Sequence, residues 1–161
     1  MFQEQLDHLL AQAQALHGRN QLSATVGPDY FEPGKMEYLE QSDGQYDEEA
    51  GILTLRFEAR GTRYEGRTEQ IESVKLGDEI WVVREPENKF NANNFRLLTR
   101  KQRDVGNMPA ELCNAIAPLY DSGHLTFLSA RVSFVEPLSR RSRYARQAVL
   151  FVELRCRITA E

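Results

Sequence analysis

A chain of 161 residues with 41% hydrophobic and 27% charged residues is long enough to bury a real core and has an ordinary globular composition. No run of eighteen apolar residues occurs, and Met1-Phe2-Gln3-Glu4 has no basic region leading into an apolar one; neither a membrane-spanning helix nor a secretory signal is expected. The net charge of −4 hides a split, because residues 1–50 carry 10 acids and 2 bases while residues 51–161 carry 14 acids and 18 bases. An acidic N-terminal segment thus precedes a basic body of the kind that meets polyanions.

Residues 2–17 read as a helix, since Phe2, Leu6, Leu9, Leu10, Ala13 and Leu16 recur at three- and four-residue steps. Gly18 is its expected stop. His8 and His17 are expected to face solvent, with no second ligand at metal spacing. Residues 18–50 are broken by the turn pairs Gly27-Pro28, Pro33-Gly34 and Asp43-Gly44. They read as an extended crossing segment with a short strand around Met36 to Leu39. The expected division is residues 1–50, an acidic helix and extended segment, and residues 51–161, the main β domain.

From Ile52 the period becomes two, predicting a half-buried strand to Ala59. Gly61 and Gly66 bracket Arg63 and Tyr64 and permit a bulge that turns both toward one side. Ile71, Val74 and Leu76 suit a helical turn that ends at Gly77-Asp78. Glu79 to Val83 is a strand, with Trp81 or Val82 buried according to register. Pro86 ends that strand, because proline has no ladder donor. A polar loop, Asn88 to Asn94, then holds four Asn and one aromatic, Phe90.

An apolar run to Thr99 leaves the loop, followed by a basic turn over residues 100–104 and a short extended piece, Val105 to Met108. Pro109 opens a helix with a stripe of Leu112, Ile116, Leu119 and Tyr120. Pro118 is expected to kink or shorten it. Two long alternating strands, His124 to Pro137 and Gln147 to Thr159, close the chain. Between them Arg140, Arg141, Arg143, Tyr144 and Arg146 crowd a hairpin tip. Cys113 and Cys156 read as reduced core thiols of a cytoplasmic protein, too few for a zinc site.

The fold class is therefore mainly β (α+β), with about six strands, one packed helix and an N-terminal helix. Catalytic motifs are lacking: no phosphate loop with Lys-Ser/Thr, no His-Glu-x-x-His and no nucleophile elbow. Asp78, Asp104 and Glu111 are isolated acids at turns and helix starts. No enzyme, metal, cofactor or membrane partner is expected. Asn side chains imitate backbone in tight turns, yet that role leaves Phe90 unexplained. An aromatic among amides, with Arg84 and Lys89 beside it, suits a base or sugar ring and its phosphate. Arg141, Arg143 and Tyr144 at the hairpin tip add a second phosphate contact.

Four pieces in order carry a family resemblance: Arg63-Tyr64-Glu65-Gly66-Arg67, Gly77-Asp78, Arg84 through Asn93, and Val105-Gly106-Asn107-Met108-Pro109-Ala110-Glu111-Leu112. With Ala117-Pro118-Leu119-Tyr120-Asp121-Ser122-Gly123 they make residues 53 to 158 resemble a HIRAN domain of the stand-alone bacterial type. The resemblance implies an OB-like or SH3-like small β-barrel with a helix packed on it. It implies binding of single-stranded DNA or free DNA 3′ ends, in a setting of DNA repair or replication. By position it points to Arg63, Tyr64, Asn88, Phe90, Asn91, Asn93 and Asn107. The loop acid common in the family is Asn91 here, the usual Asn-Ala is Asn93-Asn94, and a basic residue after the Val-Gly strand is Ala110. An amide in place of the acid accepts a hydrogen bond without charge. The alternative reading is a protein-interaction adaptor that keeps the barrel without the DNA site. A protein partner through the acidic N-terminal segment is a further expectation.

Overall fold

The computed structural model describes residues 2–25 and 45–160, with side chains as far as Ala15 and again from Tyr46. The apolar stripe of the first residues makes α1 (Phe2–Thr25), which buries Leu6, Leu9 and Ala13 and packs Phe2 and Leu10 against the same core. The helix runs through Gly18. One interior glycine costs only about 1 kcal/mol relative to alanine, too little to end a helix by itself. The strand expected around Met36 to Leu39 and the side chains of Leu16 and His17 lie outside the described residues.

The strands are β1 (Gln45–Asp47), β2 (Ile52–Glu58), β3 (Ile80–Glu85), β4 (Asn94–Thr99), β5 (Asp104–Asn107), β6 (Leu125–Glu136) and β7 (Val149–Ile158). Alternation of apolar and polar residues marks strands such as β2, while the inner strand β7 opens on a continuous buried run. Leu53, Leu55 and Phe57 of β2 point into the core and pair across the ladder with Cys156, Leu154 and Val152 of β7. On the other face, Arg56 is buried and bonded to Glu153, whose second oxygen takes Arg131. Burial alone would raise the Glu153 carboxyl, but these two guanidinium groups outweigh it and hold it below the usual range.

The strands form two antiparallel sheets, ordered β1-β2-β7-β6 and β3-β4-β5, and not the closed barrel expected. Single bridges join them, Arg60 to Asn107 and Glu79 to Arg131. Neither bridge grows into a ladder because the chain turns away beside each. Gly61 has φ 72° just after the first, and Gly77 and Asp78 bond Val132 across the second. The expected count of six also misses β1.

The helical turn expected over Ile71 to Leu76 lies earlier, as α2 (Arg67–Ile71). Ile71 and Val74 are buried all the same, so their spacing reports the core and not the helix. Register in β3 turns Ile80 fully inward and Val82 half inward against the core. Trp81 stays outside, its indole N–H donating to Glu79. After Pro109 comes α3 (Ala110–Asp121), with Leu112, Ile116 and Leu119 buried and Tyr120 half-buried. Pro118 lies in its last turn without shortening it, since there it removes only one bond near the helix end. Cys113 and Cys156 are free and buried; burial pushes the Cys113 thiol up to about 11 and Cys156 further still. Among the described residues no helix is long and apolar enough to cross a membrane.

Candidate nucleic-acid interface

The β3–β4 connection is built from its own amides. Asn88 accepts the backbone N–H groups of Phe90 (2.9 Å) and Asn91 (3.0 Å) on Oδ1 and donates Nδ2 to Glu85. Asn91 repeats the device by accepting the Asn93 N–H at 3.0 Å. Both Asn91 and Asn93 donate their amides to Oδ1 of Asn114 on α3, at 3.1 and 3.2 Å. Asn94 closes the base of the loop, donating Nδ2 to Glu85 and to Asn107. With the backbone so held, Phe90 stands out 97% exposed.

Arg84 has a different task from the phosphate contact expected of it. Its guanidinium donates to the Ala92 carbonyl at 2.6 Å, makes a two-pronged pair with Asp121, and lies 5.4 Å over the Phe95 ring. The Asp121 carboxyl is held down by that bond to Arg84. Arg84 thereby locks the loop to the end of α3. Lys89, next to Phe90, is exposed.

Arg63 and Tyr64 occupy a tight turn, not a bulged strand, with the Tyr64 N–H bonded to Gly61 O and the Arg67 N–H to Tyr64 O. The turn solves the problem of two adjacent side chains differently from a bulge, since both point to solvent. Tyr64 is 61% exposed, and the Arg63 guanidinium lies 5.8 Å from its ring centre.

Asn107 lies between this turn and the Asn loop. Its backbone exchanges both bonds with Arg60, and its Oδ1 accepts from Asn94. Gly106, at φ 138°, brings β5 close enough that a Cβ there would meet Arg60 O at 2.8 Å. That contact is the reason for glycine in the Val-Gly pair.

A string of ion pairs runs beneath both surfaces. Arg96 joins Glu85 (2.8 Å) to Asp104 (3.0 Å), and Asp104 takes Arg67 through both carboxylate oxygens. Arg67, 5% exposed, also donates to Gly61 O and pairs with Glu65, which has a left-handed backbone at φ 56°.

The arginine hairpin joins the same turn on its other side. Thr62 Oγ1 donates to Ala148 O, the Ala148 N–H donates to Thr68 Oγ1, and Thr68 Oγ1 donates to Thr62 O. Arg141 is half-buried and donates to Gln147 O. Arg143 and Tyr144 are exposed and lie together, with the guanidinium 4.8 Å from the ring centre and Nη2 donating to the Tyr144 hydroxyl. Burial at the end of β2 pushes the Glu58 carboxyl up, against the pull of Arg60 and Arg141.

The structure therefore ties Asn88, Asn91 and Asn93 to Asn107 through Asn94, and Asn107 to the Arg63–Tyr64 turn through Arg60. The hairpin joins that turn by its base at Ala148. Asn94, Asn114, Arg67, Asp104, Thr62 and Thr68 position this surface; the first, third and fourth stood in the sequence motifs without being given that part, and Asn114, Thr62 and Thr68 were not singled out. Only Asn94 carried a local signal, as the last amide of the loop. The isolated acids are all engaged: Asp78 with the Lys75 N–H, Asp104 with Arg67 and Arg96, Glu111 with Arg60.

Residues 52–154 match the family model described as HIRAN domain. Among solved structures, the crystal structure of the HIRAN domain of human HLTF is 19% identical with a TM-score of 0.48, over 67% of this chain and 81% of that one. A crystal structure of a protein from Lactobacillus plantarum is 16% identical with a TM-score of 0.48, over 65% of this chain and 98% of that one. An NMR structure of the HLTF HIRAN domain in its DNA-bound conformation is 17% identical with a TM-score of 0.44, over 66% and 76%. No curated protein matches the chain.

Proposed function

This chain belongs to the HIRAN domain family, and we propose that it is a non-catalytic module that binds single-stranded DNA at or near a strand end. DNA repair or replication is its natural setting. The observation that carries the reading is Phe90, 97% exposed on a loop whose backbone is fixed by amide bonds. A base stacking on a ring whose backbone is already fixed need not order the loop as well, and such stacking contributes about 1–3 kcal/mol per base. Tyr64 supplies a second face. Arg63, Lys89 and Arg143 are exposed cations for phosphates, and Asn107 supplies an amide between the two aromatics. DNA as the partner class accords with the DNA-bound HLTF domain.

Fluorescence anisotropy with single-stranded, blunt duplex and 3′-phosphorylated oligonucleotides at fixed low salt tests the assignment. Phe90→Ala and Arg63→Ala are each expected to weaken single-stranded DNA by about 1.5–3 kcal/mol, the range of a stacked base or a charged contact, without unfolding the domain. Blocking the 3′-hydroxyl is expected to weaken binding by less than about tenfold, because an amide at position 91 offers no charged acceptor. Unchanged affinity in both variants removes the DNA surface and leaves the adaptor reading.

A further inference from the structure

Beyond α2, away from the Asn loop, a cavity of about 450 Å³ opens between the coil at residues 72–76 and the far half of β6. Val74, Leu76, Phe134 and Pro137 give it apolar walls, and the cations Lys75 and Arg140 line it as well. The carboxylate among its lining residues, Glu72, is already engaged by the hydroxyl and N–H of Ser139, at 2.6 and 3.2 Å. Those bonds hold the Glu72 carboxyl in its charged form, and the two cations outnumber it, so the lining is positive on balance.

Ser133 on the cavity wall has no evident structural task. The β6–β7 register pairs Val132 with Val152 and Phe134 with Phe151, so Ser133 is the extra residue of a bulge. Bulges bend a strand and re-aim a side chain. The Ser133 side chain is 1% exposed and its Oγ has no hydrogen-bond partner. A buried polar group left so costs about 1–3 kcal/mol.

The backbone beside the cavity is also open. β6 is the outer strand of its sheet. Its edge is covered as far as Val132, whose N–H and C=O bond Asp78 O and Gly77 N. Beyond that, no strand among the described residues pairs with the outer side of Ser133 to Glu136. An open edge with a side-chain cavity beside it is the arrangement that takes an extended peptide as an added strand.

We infer that the Ser133–Glu136 edge receives an extended peptide, with an apolar side chain entering the cavity beside Leu76 and an acidic residue meeting Lys75 and Arg140. Nucleic acid fits this place poorly, because its aromatic wall, Phe134, is 2% exposed and packed edge to face on Phe151. The site is separate from the proposed DNA surface. The N-terminal end of α2 adjoins the Arg63–Tyr64 turn, and its C-terminal end leads into this cavity.

The probe is an array of short linear peptides with a central Leu, Phe, Lys or Ser, flanked by Asp or by Lys. Apolar centres with Asp flanks are expected to bind the full chain. Titrated into isotope-labelled protein, the best of them is expected to shift the amides of Ser133 to Glu136 and Leu76. Leu76→Asp, at a position 64% exposed where folding is insensitive, is expected to weaken that peptide at least about tenfold. Lys75→Glu is expected to turn the flank preference toward Lys, and both variants are expected to keep wild-type oligonucleotide affinity. An array without binders, shifts confined to other elements, displacement of the peptide by an oligonucleotide, or Leu76→Asp binding like the wild type would each overturn the inference.

Discussion

On the proposed function, Asn91 is the candidate selector for a strand end. Its Oδ1 is occupied by the Asn93 N–H and its Nδ2 by Asn114, so it acts first as a part of the loop. In Asn91→Asp the same oxygen still accepts from Asn93, while the other carboxylate oxygen faces Oδ1 of Asn114 until that amide turns over. Once it has turned, a charged acceptor is available to a 3′-hydroxyl. Asn91→Asp is expected to raise the preference for a free over a phosphorylated 3′ end by about tenfold, the scale of one charge-assisted bond; equal preference in variant and wild type rules the position out as the selector. Glu58 offers a pH-dependent test. Its folded carboxyl is raised, chiefly by burial, so its ionised form opposes folding above the folded value and the opposition vanishes below the ordinary glutamate value. Glu58→Gln is therefore expected to raise the urea midpoint at neutral pH, with the gain fading as the pH falls through the raised folded value and gone below about 4. A gain independent of pH places the effect elsewhere. The local bonds of Asn88 were legible in the sequence because their partners lie within three residues. Asn114, more than twenty residues away, gave no such signal.

Among the elements, the loop and the turn are carried on one ion-pair string that crosses α2, β3, β4 and β5. Asp104 is its centre, holding Arg67 and Arg96 together. Removing one partner of a buried pair leaves the other charged in a dry place, at about 3–5 kcal/mol. Asp104→Ala is expected to approach that loss in urea unfolding, since Arg67 is 5% exposed, and to loosen the Arg63–Tyr64 turn through Gly61. A midpoint matching the wild type would make the string incidental. β2 and β3 were legible because period two survives in them, and Pro86 and Pro109 mark real boundaries, whereas the three-residue β1 was missed. Closure was not legible. Whether a ladder continues past Arg60 or Glu79 depends on a turn at Gly61 and on the Gly77–Asp78 contact with Val132, which pairs residues more than fifty apart. The end of α1 was missed for a related reason: Gly18 weakens a helix locally, while Leu6, Leu9 and Ala13 anchor it through the core.

For the whole molecule, the split between acidic residues 1–50 and basic residues 51–161 raises the question of where charge acts. The first helix belongs to the core by its apolar side and packs on α3 and β2, so removing residues 1–50 uncovers those surfaces as well as deleting acid. Salt dependence of the intact chain is the cleaner measurement. Each phosphate neutralised on a single strand adds about −0.7 to the slope of log affinity against log salt. The loop amides are neutral, Arg84 is bonded to Asp121 and Arg67 is buried beneath the surface. On the proposed surface Arg63, Lys89 and Arg143 are exposed and Arg141 is half-buried and bonded to Gln147 O. Contact with all four gives roughly −3 and an affinity loss of about fiftyfold between roughly 50 and 200 mM salt. Arg63→Ala is expected to reduce the slope by about 0.7, while Phe90→Ala lowers affinity at every salt concentration and leaves the slope unchanged, because stacking releases no counterion. A wild-type slope near zero sinks the electrostatic half of the reading. A slope that Arg63→Ala does not alter moves the phosphate track off this turn.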